Sequence, residues 1–182
     1  MIPVEYFWLV LILVFGIIGM VRGLWKELGV TTVLLLSLFA LQFGWEQIGS
    51  KIVGALPGQF TQETTRALYY SVSVLFVAFI SYEGISLKFP VKEMKGISKA
   101  IFGLPGGLLN GYLIIGTIWD VVYQANYMGL RVPQGTTGQS VAISSYLTEL
   151  HKMIAQYLPV TFINEYVMLV LGMILLLAII LR

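Results

Sequence analysis

IFGLPGGLLNGYLIIG, residues 101–116, is the stretch of sequence that decides the fold. Its glycines Gly103, Gly107 and Gly111 recur every four residues, so they line one face of a helix and let a second helix approach to backbone contact. A matching set closes the first apolar stretch in GIIGMVRGLWKELG: Gly16, Gly19 and Gly23. This GxxxG-type spacing predicts that the first and fourth apolar helices pack on each other. A dimer seam, or close approach of a pigment or lipid tail, is the alternative interpretation.

The glycine-rich stretch is one of five apolar stretches, and together they indicate an integral membrane protein. They run over Tyr6–Val21, Leu28–Phe43, Ala67–Tyr82, about Ile97–Tyr123 and Phe162–Leu181. About twenty apolar residues are needed to cross the hydrocarbon core of a bilayer. With 58% hydrophobic residues and a mean hydropathy of +0.87, the chain meets that requirement repeatedly. We therefore expect an all-α bundle of about five transmembrane helices.

Between the fourth and fifth stretches, residues 124–161 are predicted to lie outside the membrane. They separate a four-span membrane region, residues 1–123, from the fifth span, residues 162–182. The segment contains an apolar stripe at helical spacing: Ile143, Tyr146, Leu147, Leu150, Ile154, Tyr157 and Leu158. Such a stripe is typical of an amphipathic helix on the outer membrane surface. We expect it to cap the bundle of its own chain, with a docking surface for a partner as the alternative.

Composition excludes several kinds of function. The net charge of +2 comes from 11 basic and 9 acidic residues that form no basic stripe, so nucleic-acid binding is not expected. The chain has no cysteine and one histidine, which excludes cysteine-ligated metals and a histidine-based metal site within one chain. No convergent set of catalytic groups is visible in the sequence. We therefore predict a non-enzymatic protein with no catalytic, metal-binding or intrinsic cofactor site.

Ionisable residues near the span ends are candidates for interface contacts. Arg22 and Lys26 are predicted to reach lipid phosphates as anchors, and a buried pair with Glu27 that fixes the turn between helices is the alternative. Asp120, beside Trp119, is the best candidate for a buried acid, although a solvated helix end is the favoured interpretation. His151 is expected to be solvated or to face lipid head groups.

Two segments resemble colicin V production (CvpA-like) membrane proteins. VRGLWKELGV, residues 21–30, is similar to the signature that ends the family's first helix, and ISKAIFGLPGGLLNGYLI, residues 97–114, is similar to its glycine-rich later helix. The resemblance covers roughly residues 4–123. Asn110 stands where the family usually has a basic residue, and a fifth span follows the usual four. The resemblance implies a bacterial inner-membrane protein, linked to toxin export or envelope maintenance, without established catalytic activity.

The distribution of basic residues predicts the orientation. With the N-terminus outside, one set of basic residues lies inside: Arg22, Lys26, Lys88, Lys92, Lys95, Lys99 and Arg182. A smaller set then lies outside: Lys51, Arg66, Arg131 and Lys152. The positive-inside bias favours this arrangement, with the C-terminus inside.

These features together favour a role through contacts rather than chemistry. We expect a CvpA-like scaffold or helper protein, an accessory subunit that contacts lipids, other membrane subunits or pigments. The larger assembly would be an export, respiratory or photosynthetic complex. The partner could instead be a second copy of the same chain. Bound lipid, quinone or pigment suits the aromatic content of 10 Phe, 10 Tyr and 4 Trp. The alternative function is an oligomeric channel or small-solute transporter.

Overall fold

The computed structural model describes residues 4–56, 58, 60–83, 87, 94–134, 139–142 and 147–181, and most of these are helical. The helices are α1 (Val4–Arg22), α2 (Leu24–Ala55), α3 (Gln62–Glu83), α4 (Gly96–Gly111), α5 (Thr117–Gln124), α6 (Glu149–Ala155), α7 (Pro159–Phe162) and α8 (Glu165–Ile180). A π-helical segment, Tyr112–Gly116, joins α4 to α5 without a break. Three of the basic residues used to predict the orientation, Lys88, Lys92 and Arg182, lie outside the described residues.

Four helices are long and apolar enough to cross a membrane. They are α1, α2, α3 and the continuous helix Gly96–Gln124, with 19, 32, 22 and 29 residues. The fifth apolar helix, α8, has 16 residues, which corresponds to a length of about 24 Å. It begins three residues later than the apolar run because Asn164 caps it, accepting a hydrogen bond from the Tyr166 backbone N–H at 2.8 Å. The predicted helical bundle is therefore confirmed, with four helices rather than five that are long and apolar enough to span a membrane.

The core of the bundle forms where α2 contacts α3, α4 and α8. Buried side chains from α2, α3, the π-helical segment and α8 meet there: Val30, Leu34, Leu38, Val74, Ile114 and Met168. The helix faces turned away from this core carry large apolar side chains, among them Ile17, Phe76 and Phe79. Apolar residues on both sides of a helix are typical of a membrane span.

The contact between α1 and α4 passes through the two glycine faces. A side chain at Gly19 would place its Cβ 2.6 Å from the Gly107 Cα atom, and one at Gly111 would place it 2.8 Å from the Phe15 Cβ atom. Gly103 also lies against the Gly19 backbone. These distances leave no room for a Cβ atom, so the helices touch at backbone contact. The structure thus brings Gly19 against Gly103 and Gly107, as the spacing predicts.

The other glycines of the two sets pack differently. Gly16 lies against the side chains of Leu104 and Leu108, and Gly111 lies against Phe15 and Ile12.

The connection from α1 to α2 is a single residue, Gly23. Its φ of 89° lies in the region that glycine adopts without strain, and its N–H bonds to the Gly19 carbonyl at 2.8 Å. The aliphatic part of Lys99 packs against it. Gly23 therefore serves the turn as well as the glycine face.

The segment after α5 differs from the predicted amphipathic helix. It contains a two-stranded antiparallel hairpin, β1 (Arg131–Gln134) and β2 (Gln139–Ala142), and then the short helices α6 and α7. Helix α6 begins only at Glu149, because the Thr148 hydroxyl caps it by accepting from the His151 backbone N–H at 3.1 Å. The first part of the predicted stripe, Ile143 and Tyr146, lies outside the described residues.

Candidate functional site

A buried carboxylate, Glu27, collects polar side chains from four spanning helices. Its Oε1 atom accepts from Arg22 Nε at 2.8 Å, and its Oε2 atom accepts from Tyr82 Oη at 2.9 Å and from Asn110 Nδ2 at 2.8 Å. Glu27 and Asn110 are fully buried, whereas the Arg22 side chain is 22% exposed. We call these four residues, together with Thr31, the Glu27 cluster.

The residues that contact the Glu27 carboxylate make further hydrogen bonds to one another and to the backbone. Asn110 Nδ2 lies 3.0 Å from the Glu27 carbonyl, and the Thr31 hydroxyl lies 2.7 Å from Asn110 Oδ1. Arg22 Nη1 donates to the Tyr82 carbonyl at 3.2 Å, and its guanidinium lies 4.7 Å from the centre of the Tyr82 ring. Buried charges are tolerated when they are paired and fully hydrogen-bonded, as they are here.

This arrangement corrects the prediction for Arg22. Interface anchoring was the favoured interpretation, but the structure shows the alternative, an ion pair between Arg22 and Glu27 next to the turn. Gly23 permits it, because its positive φ turns the chain back within one residue and leaves the two side chains facing each other. Lys26 is half-exposed, as an anchoring residue would be.

A second buried cluster surrounds His151, which is fully buried rather than solvated as predicted. Its Nε2 atom lies 3.0 Å from Tyr127 Oη and 3.3 Å from Trp119 Nε1. Its Nδ1 atom lies 3.9 Å from an oxygen of Glu5, beyond hydrogen-bond distance. Glu5 in turn accepts from the Thr148 hydroxyl at 2.5 Å. We call these five residues the His151 cluster.

Protonation in the His151 cluster follows from its geometry. Burial raises the pKa of Tyr127 to about 12, so its hydroxyl keeps its proton and donates to His151. Burial lowers the pKa of His151, and the neighbouring Glu5 opposes that shift only in part. Since Nε2 accepts from both Tyr127 and the Trp119 N–H, the proton of the neutral imidazole lies on Nδ1, towards Glu5.

The backbone that presents Tyr127 is strained. Asn126, Tyr127 and Met128 have φ values of 50°, 53° and 54°, a left-handed conformation that costs non-glycine residues about 1–2 kcal/mol each. Burial of the Tyr127 ring and its contact with His151 hold this turn in place. The segment after α5 is thereby fixed onto the end of α1 that carries Glu5.

Asp120 is buried, which corrects the prediction of a solvated helix end. Its carboxylate accepts from Gln124 Nε2 at 2.7 Å and from the Thr161 N–H and hydroxyl at 2.8 and 2.9 Å. Thr161 belongs to α7, which packs back onto α5 and covers the acid. The neighbouring Trp119 is also fully buried, where it stacks with Trp8 at 6.0 Å and belongs to the His151 cluster.

The buried acids do not form a metal site. No group of three or more His, Cys, Asp or Glu side chains that could hold a metal ion occurs in the part of the chain that the structure describes. Glu27 and Asp120 instead have their oxygens occupied by N–H and O–H donors of the same chain. In this arrangement the two carboxylates join helices of the same chain through hydrogen bonds.

Comparison of the chain with protein-family models, with curated proteins and with solved structures gives no match. The resemblance to CvpA-like proteins therefore stays a prediction from the two quoted segments.

Proposed function

We propose that the chain is a non-enzymatic, CvpA-like membrane scaffold in the bacterial inner membrane, an accessory subunit that contacts other membrane subunits, lipids or pigments. The proposed orientation has the N-terminus outside and the C-terminus inside. Four helices able to span a membrane support the location, and the excess of basic residues on one side supports the orientation. The two segments quoted above support the family.

One observation carries the scaffold role: the buried carboxylate between the spans, Glu27, is satisfied by side chains of the same chain. The Glu27 carboxylate is satisfied by Arg22, Tyr82 and Asn110, and the glycine faces of α1 and α4 are covered by the helix that each one faces. What the helices offer outward is apolar, most clearly the stripe on α3: Leu68, Val72, Leu75, Phe76 and Phe79. Such faces fit lipid tails, pigments and the helices of other subunits.

Native mass spectrometry of a mild-detergent extract tests the scaffold role. We expect the chain to migrate with a defined set of larger membrane subunits. Paired alanine replacements on different outward faces, Phe76 with Phe79 on α3 and Ile17 with Val21 on α1, should identify the contacting face, since only one pair should release the partner. A chain that migrates alone in every extract would contradict the proposal.

A second candidate function, an oligomeric channel or small-solute transporter, is favoured by the Glu27 cluster. Ionisable groups buried among spans often mark ion pathways, and π-helical segments such as Tyr112–Gly116 are frequent at functional sites. Purified protein in liposomes separates the two functions. Solute flux or conductance through the unaltered chain would overturn the pure scaffold role.

A further inference from the structure

A pocket of about 170 Å³ opens at the start of α3 and the end of α5, beside α2, on the side away from the Glu27 cluster. It is lined by Trp45 of α2, by Gln62, Glu63 and Arg66 of α3, and by Val121 and Gln124 of α5. Trp45 lies 21 residues after the start of α2, which is about 30 Å along the helix and matches the thickness of the hydrocarbon core. The pocket is therefore level with the lipid head groups.

Gln124 and Tyr70 position Arg66 in this pocket. Its Nη1 atom donates to Gln124 Oε1 at 3.3 Å, and its guanidinium lies 5.6 Å from the centre of the Tyr70 ring. Gln124 is itself held by Asp120, whose oxygens are satisfied by Gln124 and Thr161. A chain of hydrogen bonds thus runs from a fully buried acid to the guanidinium and fixes its direction.

The guanidinium keeps donors for a ligand. Its Nε atom is buried and makes no hydrogen bond within the described residues, and Arg66 forms no ion pair with their carboxylates. The Arg66 side chain is part-exposed and lines the pocket, so its Nη groups can donate to a ligand oxygen there. Arginine's planar fork suits phosphate oxygens in particular.

Glu63 gives the pocket a second charge. It is exposed at the rim, and although it lies one helical turn before Arg66, the two do not pair. The pocket therefore presents a cation within and an anion at its opening, with no ion pair between them. Trp45, whose ring lies 5.5 Å from the Tyr69 ring at an angle of 40°, supplies an aromatic wall that suits the membrane interface.

We propose that this pocket binds the head group of a zwitterionic aminophospholipid, with the phosphate on Arg66 and the ammonium at Glu63. The lipid comes from the outer leaflet, with its acyl chains along the apolar surface beside the pocket. The inference uses the membrane location proposed above, but it does not depend on the scaffold role.

The test compares phosphatidylethanolamine with phosphatidylglycerol, which has the same phosphate and no amine. Native mass spectrometry of the purified chain, titrated with each lipid of matched acyl chains, should show a several-fold preference for phosphatidylethanolamine. Arg66→Met should weaken both lipids about tenfold, the size of a lost charge-assisted hydrogen bond. Glu63→Gln should leave phosphatidylglycerol unchanged and remove the preference. Lys152→Met, which removes an exposed cation from the same side, is the matched control and should change neither.

Three results would overturn the proposal: equal binding of both lipids by the unaltered chain, undiminished binding by Arg66→Met, or displacement of the lipid by an equal concentration of free phosphoethanolamine. The last would assign the pocket to a soluble phosphate compound. Glu63 is exposed, so Glu63→Gln keeps the test decisive even if Arg66→Met does not fold, as circular dichroism would report. Release of the chain by an alkaline wash without detergent would contradict the membrane location separately.

Discussion

At the scale of single residues, Glu27 shows how a charge is tolerated between spanning helices. An isolated carboxylate in such a place is strongly disfavoured, and pairing with a cation is effective only when the remaining lone pairs also find donors. Arg22 supplies the cation, and Tyr82 and Asn110 supply the donors. Each of these partners is needed because the carboxylate has no solvent to replace it.

Replacing Glu27 by glutamine should therefore destabilise the chain strongly. We expect Glu27→Gln to lower the free energy of unfolding by about 3 kcal/mol, because it breaks a largely buried ion pair with Arg22. Arg22→Met combined with Glu27→Gln should cost less than the sum of the single changes. Unfolding in detergent, followed by circular dichroism, measures all three.

Glu149→Gln, which breaks the exposed pair with Lys152, is the control and should have no measurable effect. Additive costs would show that the pair is not coupled.

The lowered pKa of His151 predicts that the chain loses stability in acid. A solvated histidine binds a proton near pH 6.5, while the buried ring stays neutral to lower pH. The stability that neutral His151 contributes is therefore complete above about pH 6.5, and it is lost as the pH falls through the lower folded pKa. The melting temperature in detergent should fall between pH 7.5 and 5.5. His151→Gln, which cannot titrate, should flatten that dependence, and an unchanged slope would contradict the assignment.

Sequence patterns place these residues on helices but do not show what covers them. His151 and Lys152 are neighbours in α6, and a helical stripe alone puts both near solvent. Burial of His151 comes from Glu5 and Trp119, which are distant in sequence. Asp120 was misjudged for the same reason, since Thr161 of α7 covers it. Asn110 is different, because a polar residue inside a long apolar run already indicates, from the sequence alone, a buried group that needs hydrogen-bond partners.

At the scale of elements, the glycine faces decide how α1 and α4 pack. Gly107→Ala should lower the free energy of unfolding by about 1–3 kcal/mol, because the new Cβ atom would lie 2.8 Å from the Gly19 Cα atom and force the backbones apart. Gly54→Ala is the matched control, since nothing lies within 4 Å of a Cβ atom there. It should stabilise α2 by about 0.5–1 kcal/mol through helix propensity. Equal effects at the two positions, measured by thermal unfolding, would contradict the packing role.

Hydropathy predicted the long elements and missed the short ones. The first three spans extend beyond their apolar cores because polar end residues such as Gln62 and Glu83 continue the helices. Helix α2 runs on to Ala55, since no proline interrupts it before then. The two strands of the hairpin, Arg131–Gln134 and Gln139–Ala142, lack the alternation of apolar and polar residues from which strands are predicted. Hydropathy predicts which segments cross the hydrocarbon core. It does not predict short elements outside the core, because these are stabilised by contacts with residues distant in sequence.

At the scale of the whole molecule, the proposed orientation predicts which surfaces are accessible from outside. Because the chain has no cysteine, single cysteines report on one position each. A membrane-impermeant maleimide added to spheroplasts should label Lys152→Cys and leave Lys95→Cys unlabelled until the membrane is opened. Both residues are exposed in the structure, so burial does not explain a difference. The reverse labelling pattern would overturn the proposed orientation.

The one-residue connection at Gly23 has a consequence for how the protein is made. We expect α1 and α2 to enter the bilayer together as a helical hairpin, because the one-residue connection leaves no loop that would let one helix insert before the other. Arg22 and Glu27 emerge five residues apart, so their charges compensate each other while Tyr82 and Asn110 are still unsynthesised. Nascent chains that stop before α3 should therefore already hold this hairpin in the membrane, and the later helices complete its hydrogen bonds as they arrive.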